Sequence, residues 1–422
     1  MSGSLPNYKR TRRACFFAYL AMSSVFSLPP LLFVSFREMY GVSYTLLGTL
    51  VLVNFCTQLL IDLLFSFFPK MFNIKVTVRA MPLITSLGLF IYALVPTLFP
   101  QYAYVGLLTG TVIFSVSAGL AEVLISPLVA AMPSETPDRD MSMFHSLYAY
   151  GVVTVVTVST LFLKIFTAEN WMYLTCFWAT LPIISSILFF VSPIPELNVE
   201  HGAVSSRAKG RTFGIALCML CIFIGGAAEI TMTNWISGYM ENALGISKAV
   251  GDVLGMTLFA VLLGVGRTLY AKFGKNISMI LLGGMACAAV CYVVAGVSSN
   301  VVVSLIACVL VGLCTSMLWP GTLIFMEEKF PNPGVAAYAL MAAGGDLGGS
   351  VGPQLLGIVI DKVSASAWAT QLGAEMNVSV EQIGMKVGVL SAAVFPIIGT
   401  ILVLYMRSYF KKAESKKERQ LS

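Results

Sequence analysis

Twelve times along this chain, a run of roughly twenty or more mainly apolar residues is followed by a short polar break. A bilayer core needs roughly 20 such residues per helix, and a helix crosses it with every backbone N–H and C=O bonded internally. The runs extend approximately from Ala14 to Phe36, Ser43 to Phe68, Arg79 to Leu98, Tyr104 to Met132, Met141 to Phe166, Trp171 to Val191, Phe213 to Tyr239, Val250 to Tyr270, Ile277 to Val297, Val301 to Met326, Ala336 to Ile360 and Val387 to Arg407. Only 11% of the 422 residues are charged, against about 25% in soluble domains, so no water-facing surface can be covered. The pattern predicts an all-α membrane protein of twelve transmembrane helices. It excludes soluble enzymes, disulfide scaffolds, disordered chains and coiled coils.

Charge placement orients the spans. With both termini in the cytoplasm, 21 of the 26 Lys and Arg fall on that side, leaving Arg37, Lys164, Lys248, Lys362 and Lys386 outside. This is the positive-inside bias, and an odd helix count would destroy it by inverting the second half. The net charge of +6 therefore reflects membrane orientation and implies no nucleic-acid partner. The first apolar run is too long for a secretory signal and lacks a small-residue cleavage site, so it is read as an anchor. All nine cysteines lie in apolar runs, and the Cys218, Cys221 pair, though redox-spaced, sits inside helix 7 and reads as structural. The sequon Asn377-Val378-Ser379 is explained by chance unless the host is eukaryotic. The expected location is a plasma membrane of the bacterial inner-membrane kind, with a monomeric chain.

The polar stretch Ser192 to Thr212 carries no apolar pattern and reads as a cytoplasmic linker. It separates residues 14–191 from residues 213–407, each a bundle of six helices, with a short N-terminal segment (1–13) and a basic tail (408–422) in the cytoplasm. The halves repeat. Gly119 with Pro127 recurs as Gly312 with Pro320, an offset of 193, and Ser146 to Gly151 recurs at the same offset as Ala339 to Gly344. The loops between them place Glu135 opposite Glu328. Six plus six helices in parallel repeat is the plan of the major facilitator transporters, in which two bundles rock about a site near the midplane.

Ionisable residues within the hydrocarbon cost about 2.5 to 3.5 kcal/mol each, so each one asks for a reason. Glu122 in helix 4 lies about 15 Å from the inner end of its helix, near the midplane, where a carboxyl filled from one face and emptied to the other would carry a proton inward. The alternative is a carboxyl bonded to a neighbouring helix for packing. Glu229 in helix 7 follows Gly225-Gly226 and precedes Thr233, Asn234 and Trp235. A helix loosened at those glycines would aim acceptors and an aromatic platform into a cavity, the combination a sugar requires; the bland reading is a packed Glu and an interface Trp. Asn54, Gln58 and Asp62 recur every fourth residue and form one polar stripe on helix 2. Gln58 is the better solute contact, while Asp62 fits solute contact and gating equally. His145 and Tyr148 share a face of helix 5, His145 reading either as a proton relay or as a packing residue. Asp346 lies in Gly344-Gly345-Asp346-Leu347-Gly348-Gly349, where glycines permit close helix approach, and bonds across that contact or acts in gating. Arg267, near the inner end of helix 8, reads as a gate or a snorkelling residue. Trp319-Pro320 and Ser126-Pro127 each place a proline inside a helix and free a carbonyl; Trp319 either caps the cavity or packs between helices.

At these residues the chain resembles the fucose permease branch of the major facilitators, the sugar and proton symporters. Gly119-Leu120-Ala121-Glu122, with Pro127 five residues later, is similar to that family's helix 4 motif. His145-Ser146-Leu147-Tyr148 with Gly151 resembles its helix 5, and Pro69 to Lys75, including Lys70, its inner loop between helices 2 and 3. Ser316 to Pro320 and the glycine-rich helix 11 ending at Asp361 resemble its second half. The likeness implies that Glu122 is the proton-carrying acid and places Lys70 at the inner gate. The family's second proton-linked acid, in helix 1, has no counterpart in Ala14 to Phe36, so Glu229 or His145 would substitute.

The sequence thus predicts a secondary transporter, not an enzyme, moving a sugar or similar small polar solute by alternating access with protons. The expected coupling residues are Glu122, Glu229 and His145. The expected solute contacts are Asn54, Gln58, Tyr148, Asn234, Trp235 and Trp319, and the expected gating residues are Asp62, Lys70, Arg267 and Asp346. No metal or prosthetic group is implied, and no loop carries a phosphate-binding glycine pattern. One rival reading is a proton-driven exporter of amphipathic compounds with the same fold, which the 21 Met and 27 Phe leave open. Another is a receptor or scaffold that moves nothing.

Overall fold

A computed structural model describes residues 7–68, 72–133, 137–196, 211–330 and 335–421. Among these residues every regular element is helical: α1 (Lys9–Tyr40), α2 (Tyr44–Phe67), α3 (Ile74–Leu98), α4 (Ala103–Ala130), α5 (Pro137–Phe166), α6 (Trp171–Phe190), α7 (Arg211–Asn242), α8 (Lys248–Gly251), α9 (Leu258–Phe273), α10 (Ile277–Val297), α11 (Val301–Thr315), α12 (Leu318–Lys329), α13 (Val335–Ser364), α14 (Ala367–Met376), α15 (Val380–Ala392) and α16 (Val394–Leu421). Twelve passes result. The short α8 runs through a π-helical turn, Asp252–Thr257, into α9, α11 gives way to α12 at Ser316 and Met317, and α15 continues past Ala393 into α16. The ten-residue α14 lies between passes eleven and twelve.

Two boundaries differ from the sequence reading. α1 begins at Lys9, so the basic segment before Ala14 is already helical, anchored where the Thr11 hydroxyl donates to the Pro193 carbonyl at 2.8 Å. At the other end α16 extends to Leu421, through the segment read as a tail, whose Lys, Glu, Arg and Gln residues are good helix formers.

The chain forms two compact units. The first comprises residues 1–42 and 53–200, the second residues 43–52 and 201–422. The start of α2 therefore groups with the second unit and the remainder with the first. Residues 197–210, most of the expected linker, lie outside the described residues.

Each unit is built on close helix crossings. In the first, α3 meets α4 beneath an aromatic cluster in which Phe36 lies 4.9 Å from Trp171 and 5.8 Å from Tyr92, centroid to centroid. In the second, α7 packs along the glycine-rich ridge of α13. A Cβ on Gly226 would stand 2.7 Å from the Gly345 carbonyl oxygen, so only glycine admits the neighbouring backbone. The expected loosening of helix 7 at Gly225-Gly226 does not occur. α7 is continuous, and the glycines make contact instead of a break.

Candidate functional site

In the first unit, Gly119 lets α4 approach α2 closely. A Cβ there would lie 3.0 Å from the Ile61 Cβ and 3.1 Å from the Gln58 carbonyl oxygen. One turn further along each helix stand Asp62 and Glu122, their carboxyls within electrostatic reach of one another. Glu122 also acts on the Tyr19 phenol of α1, so its carboxyl lies on the face of α4 turned toward α1 and α2. Its side chain is exposed and is therefore not sealed away by its neighbours. Asp62 is half-buried, and its Oδ1 is buried and accepts no hydrogen bond. The Tyr19 hydroxyl lies 3.3 Å from the Ser126 Oγ, one turn beyond Glu122 on α4.

The polar stripe of α2 is turned toward α4. The Ser115 hydroxyl donates to the Asn54 Oδ1 at 2.6 Å, and the Gln58 Nε2 donates to the same oxygen at 3.1 Å. Gln58 is only 1% exposed and is held in the contact between α2 and α4. Tyr148 is half-buried with its ring edge-on to Phe26 at 6.1 Å, and its carbonyl accepts from the Ser23 hydroxyl at 3.1 Å. Lys70 and the side chain of His145 lie outside the described residues.

In the second unit, the decisive local feature is Pro320. A helix would pair the Ser316 carbonyl with the N–H of residue 320, and proline has none. The chain turns at Ser316 and Met317, and the freed carbonyl accepts instead from the Arg267 Nε at 3.1 Å. The guanidinium reaches Glu229 of α7, with Nη2 3.4 Å from Oε1. Arg267 is thus directed into the bundle and does not reach outward along its helix to the interface, as snorkelling would require. Its side chain is 44% exposed and that of Glu229 12%. Thr233 and Asn234 spend their side chains on their own helix, donating to the Glu229 and Ile230 carbonyls at 2.9 Å. Trp235, 1% exposed, donates Nε1–H to the Pro353 carbonyl at 3.1 Å and packs against Tyr44 at 5.8 Å. Trp319 is half-buried, its ring laid over Gly345, and Asp346 is buried beside that contact. An apolar groove of about 470 Å³, lined by α9, α10, α11 and the turn at Ser316 and Met317, includes Gly266 and none of the expected site residues.

Two polar clusters escaped the sequence reading. The Asp361 carboxylate, at the end of α13, accepts the backbone N–H groups of Tyr44 (3.1 Å) and Thr45 (2.6 Å), while Ser43 Oγ accepts that of Leu46 at 3.2 Å. The first turn of α2 is therefore capped by a residue more than 300 positions away. The second cluster centres on Lys248, whose Nζ lies 3.5 Å from Asp252 Oδ1, 3.9 Å from Glu241 Oε2 and 3.2 Å from Ser237 Oγ. Asp252 is 1% exposed and opens the π-helical turn. The four-residue Lys248, Asp252 spacing signals the pair on a helix. For Asp361 the sequence contains no local signal, since its partners are backbone groups of a distant helix.

The sequence profile described as Major Facilitator Superfamily matches residues 14–353. The chain belongs to this superfamily. As a major facilitator it shares its fold with solved transporters of low identity. A bacterial homolog of the human lysosomal transporter Spinster, in an inward-facing and occupied conformation, superposes with a TM-score of 0.77 at 12% identity, over 97% of this chain and 99% of that one. A D-xylose-proton symporter gives 0.71 at 14% identity, over 92% and 96%. A nucleoside transporter gives 0.67 at 13%, over 94% and 98%. No curated protein matches in sequence. The chain is thus a twelve-helix, multi-pass membrane protein with the fold of major facilitator transporters, which carry small solutes across membranes and are not enzymes.

Proposed function

We propose that this major facilitator is a proton-coupled transporter of a sugar or similarly small polar solute, with both termini in the cytoplasm. The observation that carries the reading is Glu122: a membrane-embedded carboxyl on the face of α4 turned toward α1 and α2, exposed, and within electrostatic reach of Asp62 and Tyr19. An ionisable group in the hydrocarbon marks an ion or substrate pathway by default. Moving one charge through 100 mV supplies about 2.3 kcal/mol, equivalent to roughly fiftyfold accumulation of a neutral solute.

Glu122 takes the proton in this scheme, Asp62 assists it, and His145 is a proposed relay on α5. Glu229 serves with Arg267 on the solute side, alongside Trp319 and Asn234, while Tyr148, Asn54 and Gln58 line the first unit. Trp235 holds the wall behind the solute, and Lys70 and Asp346 act in gating. Support for a solute of this size comes from the fold shared with a D-xylose-proton symporter and a nucleoside transporter. The test is uptake into vesicles. A labelled hexose or one of its acidic derivatives should accumulate under an imposed inward proton gradient and not without it. Extrusion of hydrophobic dyes with no sugar uptake would instead make the protein an exporter.

A further inference from the structure

Arg267 is held in an unusual way for a charge within a membrane bundle. One side of its guanidinium is fixed by the Ser316 carbonyl, which is available only because residue 320 is proline. Gly266 makes that approach possible, since a Cβ on it would stand 2.7 Å from the Ser316 Cβ. The other side meets Glu229 through a single N–H···O contact of 3.4 Å, longer than the usual 2.7 to 3.2 Å. A guanidinium carries five N–H donors in a planar fork and pairs best with a carboxylate through two parallel bonds. An ion pair kept only for packing should be sealed and tightly bonded, because desolvating two charges is costly unless the geometry is excellent. This pair is neither: the contact is long and one-pronged, and the Arg267 side chain is 44% exposed.

We propose that Arg267 is the docking point for a carboxylate on the transported solute, with Glu229 occupying the guanidinium until the solute arrives. The solute class is then acidic sugars, hexuronates and aldonates, and not neutral hexoses. This inference rests on the sugar-transport reading above. A single guanidinium already shared with one carboxylate suits a monoanion better than a doubly charged phosphate. Ser316 fixes the orientation of the fork before binding, so little side-chain freedom is lost when a carboxylate takes the Nη groups. With the solute bound, Glu229 and the solute carboxylate compete for one cation, and removing the Glu229 charge should tighten binding.

The experiment compares matched ligands, glucuronate against glucose and galacturonate against galactose, by titration calorimetry and thermal stabilisation of the purified full-length protein. The acids should bind and the neutral sugars should bind at least tenfold more weakly. Arg267→Gln should weaken acid binding about tenfold or more, Arg267→Lys should fall between, and Glu229→Gln should tighten it severalfold. Equal binding of acid and neutral partners to the parent overturns the proposal, and so does unchanged acid affinity in Arg267→Gln. If Arg267→Gln does not fold, Glu229→Gln decides, and acid affinity that fails to rise there rejects the exchange. Equal binding of both ligand classes would leave the transport reading standing. Binding of neither, with no uptake, would remove both.

Discussion

Removing the Asp361 carboxylate tests whether the first turn of α2 depends on a cap supplied by α13. In Asp361→Ala the N–H groups of Tyr44 and Thr45 lose their acceptor, and these bonds measure 3.1 and 2.6 Å. Hydrogen bonds to a charged group contribute about 1.5 to 3 kcal/mol each when well buried, whereas loss of a helix cap typically costs about 1 and at most about 2 kcal/mol. Asp361 is only half-buried and Ser43 still caps Leu46, so the net loss should be about 2 kcal/mol. For a cooperative unit of some 200 residues that lowers the unfolding midpoint by roughly 4 to 8 °C. Tryptophan fluorescence during thermal unfolding in detergent is a suitable assay, because Trp235 packs 5.8 Å from Tyr44 and reports on this corner. Asp361→Asn, which keeps one acceptor oxygen without the charge, should lose about half as much. An alanine variant that unfolds within 1 °C of the parent would refute the argument.

Gly119→Leu should destabilise the first unit by about 1 to 3 kcal/mol through overpacking, since a Cβ already meets α2 at 3.0 Å; Gly264→Ala, with nothing within 4 Å, is the matched control. Equal melting midpoints for the two variants would contradict the close α2–α4 contact. Lys248→Met removes the cation that Asp252 and Glu241 both face and should cost about 3 kcal/mol or more, clearly more than Asp252→Asn; detergent stability curves that reverse this order would count against the cluster. Gln58→Ala should lower solute affinity severalfold while proton-to-solute stoichiometry, from paired pH and tracer fluxes, stays constant. An unchanged binding isotherm would assign Gln58 to the helix contact alone.

Much of this architecture was legible because the bilayer imposes its rule on every span. Long apolar runs, the Lys and Arg asymmetry and the 193-residue offset each follow from that constraint or from the repeat. The carboxyl on helix 4 stood out for the same reason, being costly in an apolar setting. What the sequence could not display was who partners whom. The polar stripe of α2 suggests solute, yet the Asn54 Oδ1 accepts from both Gln58 and Ser115. Gly225-Gly226 suggests flexibility, yet Gly226 meets the α13 backbone at Gly345 and Gly225 meets Leu318 of α12. Arg267 sits six residues from the end of α9 and so fits either a gate or a snorkelling residue. Its inward course depends on a carbonyl freed by Pro320, a consequence legible in the Trp319-Pro320 pair but without an address until α9 and α11 are brought together. Asp361 shows the limit most plainly, because its partners are main-chain N–H groups that any residues but proline at positions 44 and 45 would offer.

The most direct test of proton carriage by Glu122 is gradient-driven accumulation set against solute exchange in proteoliposomes of Glu122→Gln. The variant should lose accumulation above the external concentration while exchange of internal for external solute proceeds near the parental rate, since exchange requires no net proton movement. Uphill accumulation by Glu122→Gln equal to that of the parent would contradict the assignment.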